Sequence, residues 1–259
     1  RAELPADLRP LADAGIDDVL ADTVTLSTFH GCPPREIEAI AEHLMTAHGL
    51  AVVVKLNPTL LGERDVTALL HDALGYTDIV VPAEAFANDP SPEQAFGMIG
   101  RLRERAAALG LSFGVKLTNT LVVENSRGFF PASVREAYLS GPPLHVLAMT
   151  LVGRFREALG MELPVSFSAG IDAQNAADAI ALDLVPVTVC TDWLKTGGYG
   201  RGIRLHEGLA ARVRATSTPD SRKVAKKRSG SPMPAKASVR LPRSADSEAW
   251  SGMKRARST

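Results

Sequence analysis

The sequence predicts an α/β protein in which parallel strands alternate with helices. Three observations predict it. Residues 23–58 read as strand, turn, helix and strand, a single βαβ unit. The alternation repeats downstream. Two strand segments also match each other, VKLNPTL at 54–60 and VKLTNTL at 115–121, as equivalent positions of a repeated architecture do. A parallel strand needs a right-handed crossover, so a β/α barrel or a doubly wound sheet is the expected parent.

The opening unit is punctuated at each step. TVTLS (23–27) alternates and is β-branched, FHGCPP is a turn, and AVVVKLNP is an apolar β-branched run closed by Asn57 and Pro58. Between them, Ile37, Ile40, Ala41, Leu44 and Met45 recur at helical spacing and form one apolar stripe. Pro33 and Pro34 suit a first turn, and Gly49 suits the left-handed residue that ends a helix.

Before this unit, short helices are expected at Leu8–Ala14 and Ile16–Leu20. After it, Glu63–Leu74 is helical, DIVVP (78–82) reads as a buried strand, and Ser91 caps a helix running to about Leu109. Residues 111–121 give a further strand. Residues 124–143, rich in Gly and Pro, read as a long loop with one helical turn at Ser133–Tyr138. Leu144–Leu159 is helical, PVSFSAG (164–170) is a strand entering a small-residue turn, and Asp172 caps a helix to Leu182. VPVTVC (185–190) is the last strand and Ile203–Val213 the last helix. The count is six strands, at 23–27, 51–57, 78–82, 111–119, 164–168 and 185–190, where a closed barrel needs eight.

A chain of 259 residues with 45% hydrophobic content can bury the core of one large domain. Its zero net charge hides an asymmetry. Residues 216–259 hold 11 Lys/Arg against 3 Asp/Glu, which leaves 18 against 26 for the rest. Residues 1–215 are therefore expected to be the folded domain. The remainder, polar and broken by proline, is expected to be a disordered basic tail. With Trp250 its only aromatic, the tail does not favour specific nucleic-acid binding. No run approaches a membrane span and the amino-terminal residues are no signal peptide, so a cytoplasmic protein is expected. Cys32 and Cys190 are too few for a disulfide framework, a structural zinc site or an iron-sulfur cluster. The chain begins with Arg and reads as a fragment of a longer barrel protein.

In a β/α barrel the ligand meets the carboxyl ends of the strands. Lys55 and Lys116 each interrupt an apolar strand there, and an ammonium in such a place needs a partner or a use. An anion or flavin partner, a Schiff-base amine, and a lysine that simply reaches solvent are the three readings. Ser168, Ala169 and Gly170, with Gly197 and Gly198 after the next strand, fit a phosphate loop. Cys32 beside His30 at a helix start is either an acid or nucleophile, or a small cysteine capping the turn. Cys190, inside an apolar strand, is expected in the core. His43, His48 and His71 lack metal spacing and read as surface residues, and His145 and His206 are similarly uninformative.

Taken together, TLSTFHGCPP, VKLNPTLLG, FGVKLTNT, SFSAGID and VTVCTDWLKTGGYGRG, across residues 23–202, resemble the FMN barrel of the dihydroorotate and dihydropyrimidine dehydrogenases. The likeness is greatest to the large subunits of the selenate reductase-like iron-sulfur flavoproteins. It implies an incomplete TIM (β/α)8 barrel lacking its amino-terminal strands. It also implies FMN at the barrel mouth, hydride transfer with a small-molecule substrate, and an electron-transfer domain or subunit elsewhere. Iron-sulfur clusters and FAD/NAD(P)H would belong to missing segments or partners. By the same resemblance Lys55 contacts the flavin, with Lys116, Asn119 and Thr120 near flavin and substrate. Ser168, Ala169, Gly170 and Thr191 hold the phosphate, and Cys32 is the catalytic acid. Two other classes stay open. One is a lyase or aldolase using Lys55 or Lys116 as a Schiff base; the other is a non-catalytic barrel fragment.

Overall fold

The computed structural model describes residues 5–9, 20–28, 32–126 and 128–216. The chain divides into two units, Arg1–Ala211 and Arg212–Thr259, and the first holds everything discussed below. The expected basic tail and most of the two amino-terminal helices lie outside the described residues.

Five strands form one parallel sheet. They are β1 (Thr23–Ser27), β2 (Ala51–Leu56), β3 (Phe113–Leu117), β6 (Val165–Phe167) and β7 (Leu184–Val187), in the spatial order β1-β2-β3-β6-β7. That order is the order of the sequence. A doubly wound sheet reverses direction at a switch point, whereas a sheet wound in one direction keeps its crossover helices on one side, as a β/α barrel does. The helices α1 (Pro34–His48), α4 (Pro92–Ala108) and α5 (Pro142–Leu159) pack on that side.

Alternation along the strands shows which face they cover. Val52, Val54, Leu56, Val115 and Leu117 are buried, with Ile37, Met45, Ile99, Leu102, Leu147 and Phe155 in the same core. Thr23, Thr25 and Ser27 of β1 are exposed, and Val53, Lys55 and Lys116 are half-buried. The second face is therefore the less covered one, and it carries the polar side chains.

The helix ends follow the expected chemistry. Pro34 starts α1, and Gly49 ends it at φ 65°, a conformation in which a Cβ is strained. Ser91 and Gln94 form a reciprocal capping box on α4. Arg101 of α4 grips both carboxylate oxygens of Glu38 on α1, at 2.6 and 2.7 Å.

Three expectations need correction. Residues 78–82 are not a strand: β2 and β3 pair directly, Lys55 opposite Lys116, and leave no place between them. The segment lies outside the sheet, where the His71 ring holds Ile79 O and the Glu124 amide holds Val80 O. It leads instead into the short helix α3 (Ala83–Ala87). Residues 124–143 are no simple loop with a helical turn, because β4 (Leu121–Glu124) and β5 (Glu136–Leu139) make an antiparallel hairpin. The last strand stops at Val187, so Cys190 lies beyond it and is exposed rather than in the core.

Candidate functional site at the strand ends

The parallel register sets one polar row across the sheet. Ser27 faces Lys55, Lys55 faces Lys116, and Lys116 faces Ser166. Paired residues on adjacent strands share a face. Lys116 Nζ donates to Thr188 Oγ1 at 2.9 Å. Lys55 is half-buried, and no hydrogen bond or ion pair to its ammonium occurs among the described residues. Burial pushes the Lys55 ammonium below its ordinary pKa, and nearby Cys190 opposes this to a lesser degree. Lys116 is pushed down by burial first and by the charge of Lys55 second.

Beside this row lies a buried amide network. Asn119, nearly buried, donates through Nδ2 to Thr28 O and to Asn57 Oδ1, both at 2.7 Å, and its Oδ1 accepts from Ser27 Oγ at 3.0 Å. Asn57 in turn donates to both oxygens of Asp89 at 3.0 Å, and Thr59 Oγ1 donates to the same carboxylate. Thr118, just before Asn119, donates to the Asn119 carbonyl at 2.7 Å. Residues from three other stretches of chain, 27–28, 57–59 and 89, thus fix one carboxamide. Asp89 and Thr59 are the members that sequence reasoning missed. Asp89 sits in the loop NDPSP, where an acid ordinarily faces solvent.

The expected phosphate loop follows β6. Gly170 stands at φ 55°, and a Cβ there would lie 2.4 Å from Gly141 O, so only glycine permits this approach. The Ser168 amide is spent on Leu117 O and the Asp172 amide on Asn175 Oδ1, while Asn175 Nδ2 braces Gly170 O. His145 Nδ1 lies 2.9 Å from Ala169 O and so carries the donated proton. His145 is thus a loop anchor, a role that no sequence signal marked. His71 is likewise half-buried and anchored on Ile79 O. Gly141, Gly170, Thr191 and Lys195 line one small hollow, which Gly197 and Gly198 do not reach. Buried Asp192 holds Lys195 and Arg201 nearby, and the Arg201 hydrogen bond keeps its carboxyl below the usual range.

Cys32 is set apart from these groups. It is 3% exposed within the apolar core, and burial, then the Glu36 carboxylate, push its thiol up. A thiol held protonated is a poor nucleophile. His30, its expected neighbour, lies outside the described residues. Thr120 is half-buried at the start of the β4 hairpin.

Fold and site define a class: a β/α protein wound in one direction, with its polar residues gathered at the carboxyl ends of parallel strands. Residues 9–234 match the family model described as "Oxidoreductase YgfK, N-terminal TIM-barrel domain". The chain belongs to that family of oxidoreductase domains. It is 42% identical over 188 residues, 73% of its length, to "Putative oxidoreductase YgfK" of Escherichia coli (strain K12), and equally to the protein of that name from Escherichia coli O157:H7. The match covers 18% of each relative, so the chain spans about a fifth of their length. Both names specify redox chemistry and neither specifies a substrate.

Proposed function

We propose that this domain binds FMN at the open face of its parallel sheet and serves hydride transfer between the flavin and a small substrate, in the manner of dihydropyrimidine dehydrogenase and the selenate reductase-like flavoproteins. The observation that carries the reading is Lys55, a half-buried ammonium at a strand end with no hydrogen bond or ion pair among the described residues. Such a cation suits an electron-rich ring edge. FMN supplies the hydride chemistry when bound, and the protein supplies orientation and charge.

Lys55 would set its positive charge against the ring. Asn119 offers a carboxamide already locked by Ser27, Thr28 and Asn57, so it can orient a ligand without reorganising. At the loop after β6, an anionic phosphate would draw on the amides between Ala169 and Ile171, with the Thr191 hydroxyl alongside. Lys116, held by Thr188, stands next to Lys55 on the same face. Cys32 keeps its proton inside the core, so the reading does not depend on it. An electron-transfer domain or subunit would lie in the four-fifths of the relatives' length that this chain does not span.

One observation favours a second reading. Two adjacent lysines in register, each with its pKa lowered, form an arrangement that favours the free, nucleophilic amine. Attack on a carbonyl carbon would form an imine and release water, and borohydride would reduce the C=N bond to a stable amine. A mass increase on Lys55 or Lys116 after borohydride treatment with a carbonyl probe such as pyruvate would favour this reading. Flavin absorbance that shifts on adding the chain, with no borohydride adduct, would favour the first.

A further inference from the structure

Lys55 and Lys116 are direct neighbours in register, on strands whose backbones run about 4.8 Å apart. Their side chains share the less covered face of the sheet. Like charges facing each other across strands destabilise a sheet, and partial burial adds to the penalty. Among the described residues no carboxylate answers them: Thr188 Oγ1, on Lys116, is the one side-chain hydrogen bond there to either ammonium, and the ion pairs near this end of the sheet belong to Asp192 with Lys195 and Arg201. The ring edge of a flavin would answer the charge of Lys55 alone. Lys116 would still face a neutral hydroxyl.

We infer that Lys116, with Lys55 beside it, receives the negatively charged group of an anionic substrate, a carboxylate or a comparable oxyanion with two oxygens to share between the ammoniums. The inference rests on the preceding reading in placing substrate and flavin on the same face. It deepens that reading by naming the substrate class as anionic, where a neutral ligand would leave the second cation uncompensated. Thr188 plays a positioning part, because its hydroxyl fixes the direction of Lys116 Nζ. The lowered pKa of both lysines agrees: burial lowers each, the charge of Lys55 lowers Lys116 further, and a bound anion offsets both effects.

The test uses the chain itself, at low ionic strength, with malonate as the anionic probe and malonamide as its neutral counterpart. Isothermal titration follows the probes, and visible absorbance follows FMN in separate samples. Malonate is expected to bind and malonamide not to. Lys116→Gln should weaken malonate binding by about tenfold or more, and Lys116→Arg should restore most of it. Circular dichroism would confirm that both variants fold. Malonate that fails to bind, or that binds Lys116→Gln as well as wild type, overturns the inference. Malonate binding that depends on Lys116 in a chain that takes up no FMN supports the anion site and contradicts only the flavin reading.

Discussion

Asn57 places its side-chain nitrogen 3.0 Å from each carboxylate oxygen of Asp89. An ionised carboxylate can only accept, so this contact turns the Asn57 oxygen the other way, toward Asn119 Nδ2. Asn119 Oδ1 is thereby left for Ser27 Oγ and for whatever stands at the rim. A loop acid three links away from Ser27 thus sets the orientation of the Asn119 carboxamide.

That relay can be tested at its far end. Asp89→Ala strips the acceptor from Asn57 and Thr59, and is expected to lower stability by about 2–4 kcal/mol, as stranded buried donors do. Asp89→Asn keeps the shape but lets the amides reverse. It is expected to weaken FMN binding more than it lowers stability. Urea unfolding beside flavin titration separates the two effects, and equal flavin affinity in Asp89→Asn and wild type would contradict the relay.

The lysine pair should act against the fold. Both folded-state pKa values lie below the unfolded value near 10.4, so between the two the unfolded chain binds more protons and stability rises with pH. The penalty is complete below the folded pKa and vanishes as pH climbs to the unfolded one. Lys116→Met is therefore expected to melt higher than wild type at pH 7, with the advantage shrinking toward pH 10. Melting curves across that range check it, and a constant or growing advantage would count against it.

The two thiols should differ in rate. Cys190 is exposed, whereas Cys32 is buried with its pKa raised. Iodoacetamide at pH 7.5 is expected to label Cys190 in the native chain and Cys32 only after denaturation. Peptide mass spectrometry reads this directly. Comparable native labelling of both would return Cys32 to the list of reactive groups.

Gly170→Ala should break the loop after β6. The added methyl meets the Gly141 carbonyl at 2.4 Å and the backbone is left-handed, so the loop or the start of α5 must move. A loss of about 2–5 kcal/mol is expected, read as a lower urea midpoint. Gly198→Ala, with a left-handed backbone but open space around it, should cost only about 1 kcal/mol.

Local chemistry made much of this legible in sequence. The two prolines and Gly49 bound α1, the Ser91–Gln94 box starts α4, and two lysines interrupting apolar strands marked the rim. Long-range choices were not legible. DIVVP has the composition of a buried strand, yet the direct pairing of β2 with β3 excludes it, and no local signal reports that pairing. Ser27 and Asn119, 92 residues apart, meet only because the strands between them fall into register. Asp89 carries no local signal in NDPSP, and its burial depends on Asn57 and Thr59, about 30 residues earlier in the same crossover. His145 gave no spacing signal, because its partner is a backbone carbonyl 24 residues away.

Lys55 is proposed to stand where a flavin binds. The visible absorption spectrum of FMN, recorded with the wild-type chain and with Lys55→Met, tests it most directly. A shifted, structured flavin band is expected with wild type, and an affinity weaker by about tenfold or more in Lys55→Met. A spectrum identical to free FMN in both, from chains that circular dichroism shows to be folded, would contradict it.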